Sequence, residues 1–259
     1  MHVEPVTGLP EIRPGDDLAE QIADRASLEQ GDVLTVASTV VSKAEGRMAH
    51  LEEFPVSSRA QEIADRVSER AGEDKDPRFA QAVLEESVEL LIDDPFMLTE
   101  TRFGHICVNA GIDRSNVADH DILLLPKRPT KSAERIRAGL KERGLEDVAV
   151  IVTDTCGRPF RHGQRGVALG WAGIPASRDW RGELDRDGRE LGVTVEAVVD
   201  ELAAAANLVT GEGADGVPAT VVREWEFGTL EGSDELFRRV EDDLIRQALR
   251  QWVWNGGEN

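Results

Sequence analysis

A mixed fold of helices and strands, large enough for one large domain or two intimate ones, is what this sequence predicts. Three observations carry it. The chain has 259 residues, ample for a core that needs no disulfide. Several segments place apolar residues at helical spacing behind capping residues. Between them stand short apolar runs such as Val148 to Thr153, which read as buried strands.

In chain order, Gly15-Asp16-Asp17 caps a helix with Ala19, Ile22, Ala23 and Ala26 on one face. A strand is expected from Asp32 to Val41, followed by the polar turn Ser42-Lys43-Ala44-Glu45-Gly46. Ser58 and Gln61 have capping-box spacing before Ala60, Ile63, Ala64 and Val67. Asp76-Pro77 is a cap and first-turn proline for a helix expected to carry Val83, Leu84, Val88, Leu91 and Ile92. Residues 103 to 125 read as two strands joined by a polar loop. Thr130 is expected to cap a helix through Ile136 and Leu140 that stops at Gly144. The strand after it delivers Asp154 to its C-terminal end, where α/β sites are commonly built. From Gly163 to Gly192 there is little periodicity, and a long polar loop is expected. Thr194 caps a helix with Val195, Val198, Val199 and Leu202 that runs to Val209, and the strand Val217 to Val222 follows. A last amphipathic helix would carry Leu236, Val240, Leu244, Ala248 and Trp252.

Composition narrows the function. Lys and Arg total 30 against 50 for Asp and Glu, a net charge of −20, which argues against a general nucleic-acid or anionic-membrane surface. Such acidity suits a salt-rich cytoplasm, where ions screen the self-repulsion. Cys107 and Cys156 form no C-x-x-C, which fits a reduced compartment, and no apolar run approaches the ~20 residues of a bilayer span. The expectation is a cytoplasmic protein with neither nucleic-acid nor membrane partners.

One motif misleads. Residues 211–216, GEGADG, satisfy G-x-G-x-x-G, yet that fingerprint needs a strand before it and a helix after it. Here the expected order is reversed, and Glu212 and Asp215 would repel a bare phosphate unless a metal intervened. P-loop, serine-hydrolase and zinc-binding spacings are absent.

Four polar, glycine-flanked segments remain: STVVSKAEG, NAGIDRSN, TDTCGRPFRHG and TGEGADG. They supply Asp113, Asp154 and Glu212 as hard oxygen ligands, with Lys43, Arg158 and Arg161 as cations. Magnesium and manganese need only one or two carboxylates, because they keep water and substrate phosphates. Phosphoryl transfer needs such ions and cations to neutralise the moving group. Taken singly, each residue has a bland alternative. Asp113 and Asp154 could end strands, Asn116 could belong to an Asx turn, Glu212 could follow an ordinary helix cap, and Cys156 could simply pack.

The segments GLPEIRPGDDLAEQIA, DVLTVASTVVSKAEGR, NAGIDRSNV, LLPKRPTKSAERIR, VIVTDTCGRPFRHGQRGVALGWAG and DELAAAANLVTGEGADGVPA together resemble the coenzyme F420:L-glutamate ligases, also called F420-0 gamma-glutamyl ligases. The resemblance is collinear from about Leu9 to Val222. It implies an α+β fold with mixed sheets and two intertwined subdomains within residues 1–223, and a homodimer; residues 224–259 lie beyond the resemblance and are expected to form a helical tail with packing or dimer contacts. The implied activity is GTP-dependent addition of L-glutamate to a deazaflavin coenzyme precursor, first as an amide and then through a gamma-linkage, with release of GDP and phosphate. The implied cofactors are magnesium or manganese, two ions in all, and potassium.

Position by position, the resemblance assigns GTP contacts to Leu9, Pro10, Glu11, Ile12, Ser38, Thr39, Lys43 and Asn116. It adds the segment Thr210, Gly211, Glu212, Gly213, Ala214, Asp215, Gly216 and Val217, which would wrap the nucleotide. It assigns metal contacts to Asp113, Asp154, Thr155 and Glu212. Phe160 stands where the family commonly has Trp. Arg158 and Arg161 come from chemistry alone, since a guanidinium suits bidentate binding of phosphate or carboxylate. Two rival readings are another nucleotide-driven amide ligase with a different acceptor, and a GTP-binding regulatory protein without turnover.

Overall fold

The computed structural model describes residues 1–72, 74–117 and 119–251. The elements run β1 (His2–Pro5), α1 (Leu18–Ala23), β2 (Val33–Ala37), α2 (Ser38–Ala44), β3 (Met48–Ala49), α3 (Ser58–Ala71), α4 (Pro77–Glu86), β4 (Ser87–Ile92), β5 (Leu98–Thr101), β6 (Ile106–Val108) and β7 (Ile122–Leu123). There follow α5 (Pro129–Glu142), β8 (Ala149–Gly157), β9 (Gln164–Ala172), β10 (Ser177–Asp179), β11 (Val195–Glu196), α6 (Val198–Thr210), β12 (Ala219–Arg223), β13 (Gly232–Ser233) and α7 (Leu244–Arg250). The class is α+β. No described helix is long and apolar enough to cross a membrane.

The described residues form two compact units, residues 1–46 with 128–236 and residues 47–127 with 237–251. The first is built on a five-stranded sheet in the order β1-β12-β2-β8-β9. Only β2 and β8 pair in parallel; the other neighbours are antiparallel. Leu34, Val36, Val150, Val152, Ala219 and Val221 turn to one face, where they form a core with Leu18 and Ile22 of α1 and Ile136 and Leu140 of α5. Thr35, between two of these, is also buried, and its hydroxyl meets that of Thr220 at 2.7 Å. A sheet buried on both faces needs cover on both. Helix α6 packs on β8, β9 and β12 and contributes nothing to the α1/α5 core. A small sheet, β11-β10-β13, completes this unit.

In the second unit a β4-β5-β6 sheet and the β3-β7 pair accompany α3 and α4 around a core of Phe54, Ile63, Phe79, Val83, Met97 and Ile122. The short helix α7 is fixed by Arg246, whose side chain is 4 % exposed and bonds to both Glu89 and Glu100.

Several expected elements are placed differently. The strand from Asp32 ends at Ala37, and Ser38 to Ala44 is helical, so that of the expected polar turn only Glu45 and Gly46 turn. The helix after Pro77 ends at Glu86, so Val88, Leu91 and Ile92 lie on β4. Ser57, not Ser58, caps α3, accepting from the Ala60 amide at 3.2 Å. Arg128 precedes α5, with Pro129 at its first position and Thr130 already inside. Residues 164–172 of the expected loop form the nine-residue strand β9. Val195 is on β11, and α6 begins only at Val198. Of the last expected helix, Val240 lies in a 3-10 turn and α7 spans Leu244–Arg250, while Trp252 lies outside the described residues.

Candidate active site

The parallel ladder of β2 and β8 sets up the site in the first unit. Its last pair is Ala37 with Thr153, so the next residues, Ser38 and Asp154, come level. The chain turns into α2 at that point, and the buried Ser38 hydroxyl donates to Asp154 Oδ1 at 3.2 Å. One helical turn and a half later, Lys43 is buried in the last turn of α2, and its Nζ meets Glu11 Oε1 at 2.5 Å. A cation there also complements the helix C-terminus. Glu11 itself is exposed, beside Ile12, which anchors its segment in the core. Leu9 packs on that core, and Pro10 is exposed.

Contrary to the expected strand end, β8 does not stop at Asp154 but continues to Gly157, pairing Asp154 with Val167 and Thr155 with Gly166. Gly166 matters because it has no side chain. A Cβ there would stand 2.3 Å from the Ala203 carbonyl oxygen and 2.9 Å from Asn207 Cβ, so α6 can lie directly on β9. The close approach brings Asn207 to Thr155. Its Nδ2 donates to Glu212 Oε1 at 2.9 Å, and Thr155 Oγ1 lies 3.2 Å from Asn207 Oδ1 and 3.1 Å from Glu212 Oε1. Glu212 sits in the exposed turn that follows α6, where Gly211 and Gly216 both take positive φ (67° and 66°). The expected order of helix, glycine turn and strand is thus present, and it is not the dinucleotide arrangement.

Cys156, next along β8, has its thiol pushed up by burial and, secondarily, by the charge of Asp154. It is held protonated, as a packing residue would be. Arg158 and Arg161 occupy the exposed turn between β8 and β9, and neither forms an ion pair with a described residue. Phe160 between them is 96 % exposed with φ +65°.

Asp113 and Asn116 belong to the second unit. Asp113 exchanges backbone bonds with Leu123 at 2.8 and 3.0 Å, and its carboxylate accepts from the Ser115 amide at 2.8 Å, an Asx turn headed by Asp113 rather than Asn116. Asn116 has φ +56°, a conformation Asn tolerates better than most residues, and donates to Ser115 Oγ at 3.2 Å.

Within the first unit, then, Ser38 joins Asp154, Glu11 joins Lys43, and Thr155 joins Glu212. Asn207 is the member that sequence reasoning missed. Its only signal was a polar residue interrupting the apolar run of ELAAAANLV, five positions before Glu212.

Comparison with known proteins places the chain. The family model described as F420-0:Gamma-glutamyl ligase matches residues 8–224. A protein of Halorubrum lacusprofundi named coenzyme F420:L-glutamate ligase is 66 % identical over 255 residues, 98 % of this chain and 100 % of that protein. Proteins of the same name from Natronomonas pharaonis and Archaeoglobus fulgidus are 68 % and 52 % identical, each over 251 residues, or 97 % of this chain and 97 % and 98 % of those proteins. The class is that of a ligase of coenzyme F420 biosynthesis. The chain belongs to the F420-0:gamma-glutamyl ligase family.

Proposed function

We propose that the protein uses GTP to join L-glutamate to a deazaflavin coenzyme precursor, first through an amide and then through a gamma-glutamyl linkage. The observation that carries this reading is the Glu212 carboxylate set against the Thr155 hydroxyl at 3.1 Å, with Asp154 next to Thr155 along β8. Each carboxylate is held by a neutral partner, Asp154 by Ser38 and Glu212 by Asn207.

Among the described residues no three His, Cys, Asp or Glu side chains are grouped to hold an ion. The donors are instead carboxylates and a hydroxyl, a hard-oxygen set suited to an ion that keeps water and phosphate oxygens. Thr155 and Glu212 would hold one magnesium or manganese ion and Asp154 another, the ion to which the resemblance also assigns Asp113. The bound metal would draw charge from the phosphate oxygens of GTP.

A carboxylate is a poor electrophile. The precursor carboxylate would attack the γ-phosphorus of GTP, releasing GDP and forming an acyl phosphate. The amine of glutamate would then attack the acyl carbon, losing a proton and expelling phosphate. For the second addition, the γ-carboxylate of the newly attached glutamate takes the acceptor role. Lys43, steered by Glu11, would place positive charge beside the phosphates. The loop Thr210 to Val217, the segment Leu9 to Ile12, Thr39 and Asn116 would line the nucleotide. Arg158 and Arg161 would bind substrate phosphate or carboxylate from their turn. The same reading takes the protein to act as a cytoplasmic homodimer with potassium as an activating ion.

Incubation with precursor, glutamate, GTP and manganese should give a product heavier by one glutamyl unit. No mass shift, with GTP still bound, would sink the reading. Separately, Arg158→Ala and Arg161→Ala should lower kcat/KM for precursor or glutamate; unchanged values would remove those two residues from the site.

A further inference from the structure

Asn207 bonds to two of the residues to which the family resemblance gives metal contacts. An ionised carboxylate only accepts hydrogen bonds, so the Asn207 amide must turn its NH2 toward Glu212. That orientation leaves Oδ1 facing Thr155 Oγ1 at 3.2 Å. The Thr155 hydroxyl has one proton and two acceptors within reach, Asn207 Oδ1 and Glu212 Oε1. With the proton given to Asn207, Thr155 Oγ1 and Glu212 Oε1 face each other through lone pairs at 3.1 Å. Two such oxygens repel unless a cation lies between them. Neighbouring oxygens on an octahedral ion with bonds of about 2.0–2.1 Å stand roughly 2.9 Å apart, close to that spacing.

We propose that Asn207 is a positioning residue for a divalent cation: it takes the Thr155 proton and donates to Glu212, so that both oxygens offer lone pairs to one ion. This rests on the metal reading above. Close packing at Gly166 sets the geometry, because only a glycine lets α6 bring Asn207 this near to β8. The charge of Glu212 is kept in place with no cationic partner among the described residues to compete with the metal.

The test is Mn2+ binding by electron paramagnetic resonance in the absence of substrates, on the wild type and on Asn207→Leu, Asn207→Ser, Asn207→Gln and Glu212→Gln. Partners one step beyond the ligands typically change metal affinity by about 10–100-fold. Asn207→Leu and Asn207→Ser should weaken Mn2+ by that factor, with metal-free thermal unfolding unchanged, and Asn207→Gln, which keeps both amide groups, should recover part of the loss. Having two loss variants guards against one failing to fold. If wild type binds Mn2+ and both loss variants bind it equally well while Glu212→Gln does not, the positioning role is overturned and the metal site stands. If wild type binds no Mn2+, the metal reading falls and the role of Asn207 with it.

Discussion

Replacing Gly166 by Ala adds a single methyl group where α6 lies directly on β9. The new Cβ would lie 2.3 Å from the Ala203 carbonyl oxygen and 2.8 Å from its carbonyl carbon, where ordinary contact begins at 3.4 Å. Backbone atoms cannot rotate aside, so α6 must withdraw by about 1.1 Å, the difference between 3.4 and 2.3 Å. A movement of that size takes the 2.9 and 3.2 Å bonds of Asn207 out of hydrogen-bonding range. Overpacking of this kind costs about 1–3 kcal/mol. At about 2–4 °C per kcal/mol, Tm should drop by roughly 2–12 °C, read by circular dichroism. Mn2+ affinity should fall about tenfold or more. Gly170→Ala is the control. Its Cβ would strike Thr130 N at 2.2 Å and Pro129 C at 2.3 Å, disturbing α5 rather than α6, so it should lose stability while keeping Mn2+. A Gly166→Ala protein with wild-type Tm, or equal Mn2+ loss in both variants, would refute this reasoning.

Two further predictions concern the second unit. Burial pushes the His105 imidazole down from 6.5 to about 4, and its buried Nε2 has no hydrogen-bond partner. The unfolded chain therefore takes up a proton first as pH falls, so stability is full above about 6.5 and declines down to about 4, by about 3 kcal/mol in all. Urea unfolding of wild type and His105→Phe at both ends of that window should show the excess loss only in wild type; parallel curves would contradict it. Arg246→Met leaves Glu89 and Glu100 facing each other, although Arg250 still reaches Glu89 at 2.5 Å. Because these carboxylates keep some water, the loss should be about 2–4 kcal/mol, under the ~3–5 of a fully buried pair. Adding Glu89→Gln and Glu100→Gln should recover much of it, and an unchanged unfolding midpoint for Arg246→Met alone would remove the ion network as the anchor of α7.

Where a local signal decided the structure, the sequence was legible. Asp76 caps α4 through its own carboxylate and Pro77 needs no amide donor, so that helix start could be read directly. The glycine turn after α6 was rejected as a dinucleotide fingerprint on element order alone, and that order holds. Local pattern failed where burial was two-sided or a run was short. Leu84, Val88, Leu91 and Ile92 match a helical face, yet the chain leaves the helix at Ser87 and pairs as β4. Residues 166–171, GVALGW, show no alternation because both faces of β9 are buried. Gly166 and Gly170 looked like loop punctuation, and they are instead the places where α6 and α5 touch the sheet. Asp154 and Glu212 could be picked out by type, whereas Asn207 depends on a helix-to-strand distance that no spacing reveals.

The central claim is that GTP activates a carboxylate for attack by glutamate. It is tested most directly by labelling the acceptor carboxylate of the precursor with 18O and collecting the phosphate released with manganese, GTP and glutamate. An acyl phosphate route predicts one 18O in the phosphate for each precursor molecule that gains its first glutamate, whereas first-addition product formed with unlabelled phosphate would contradict it.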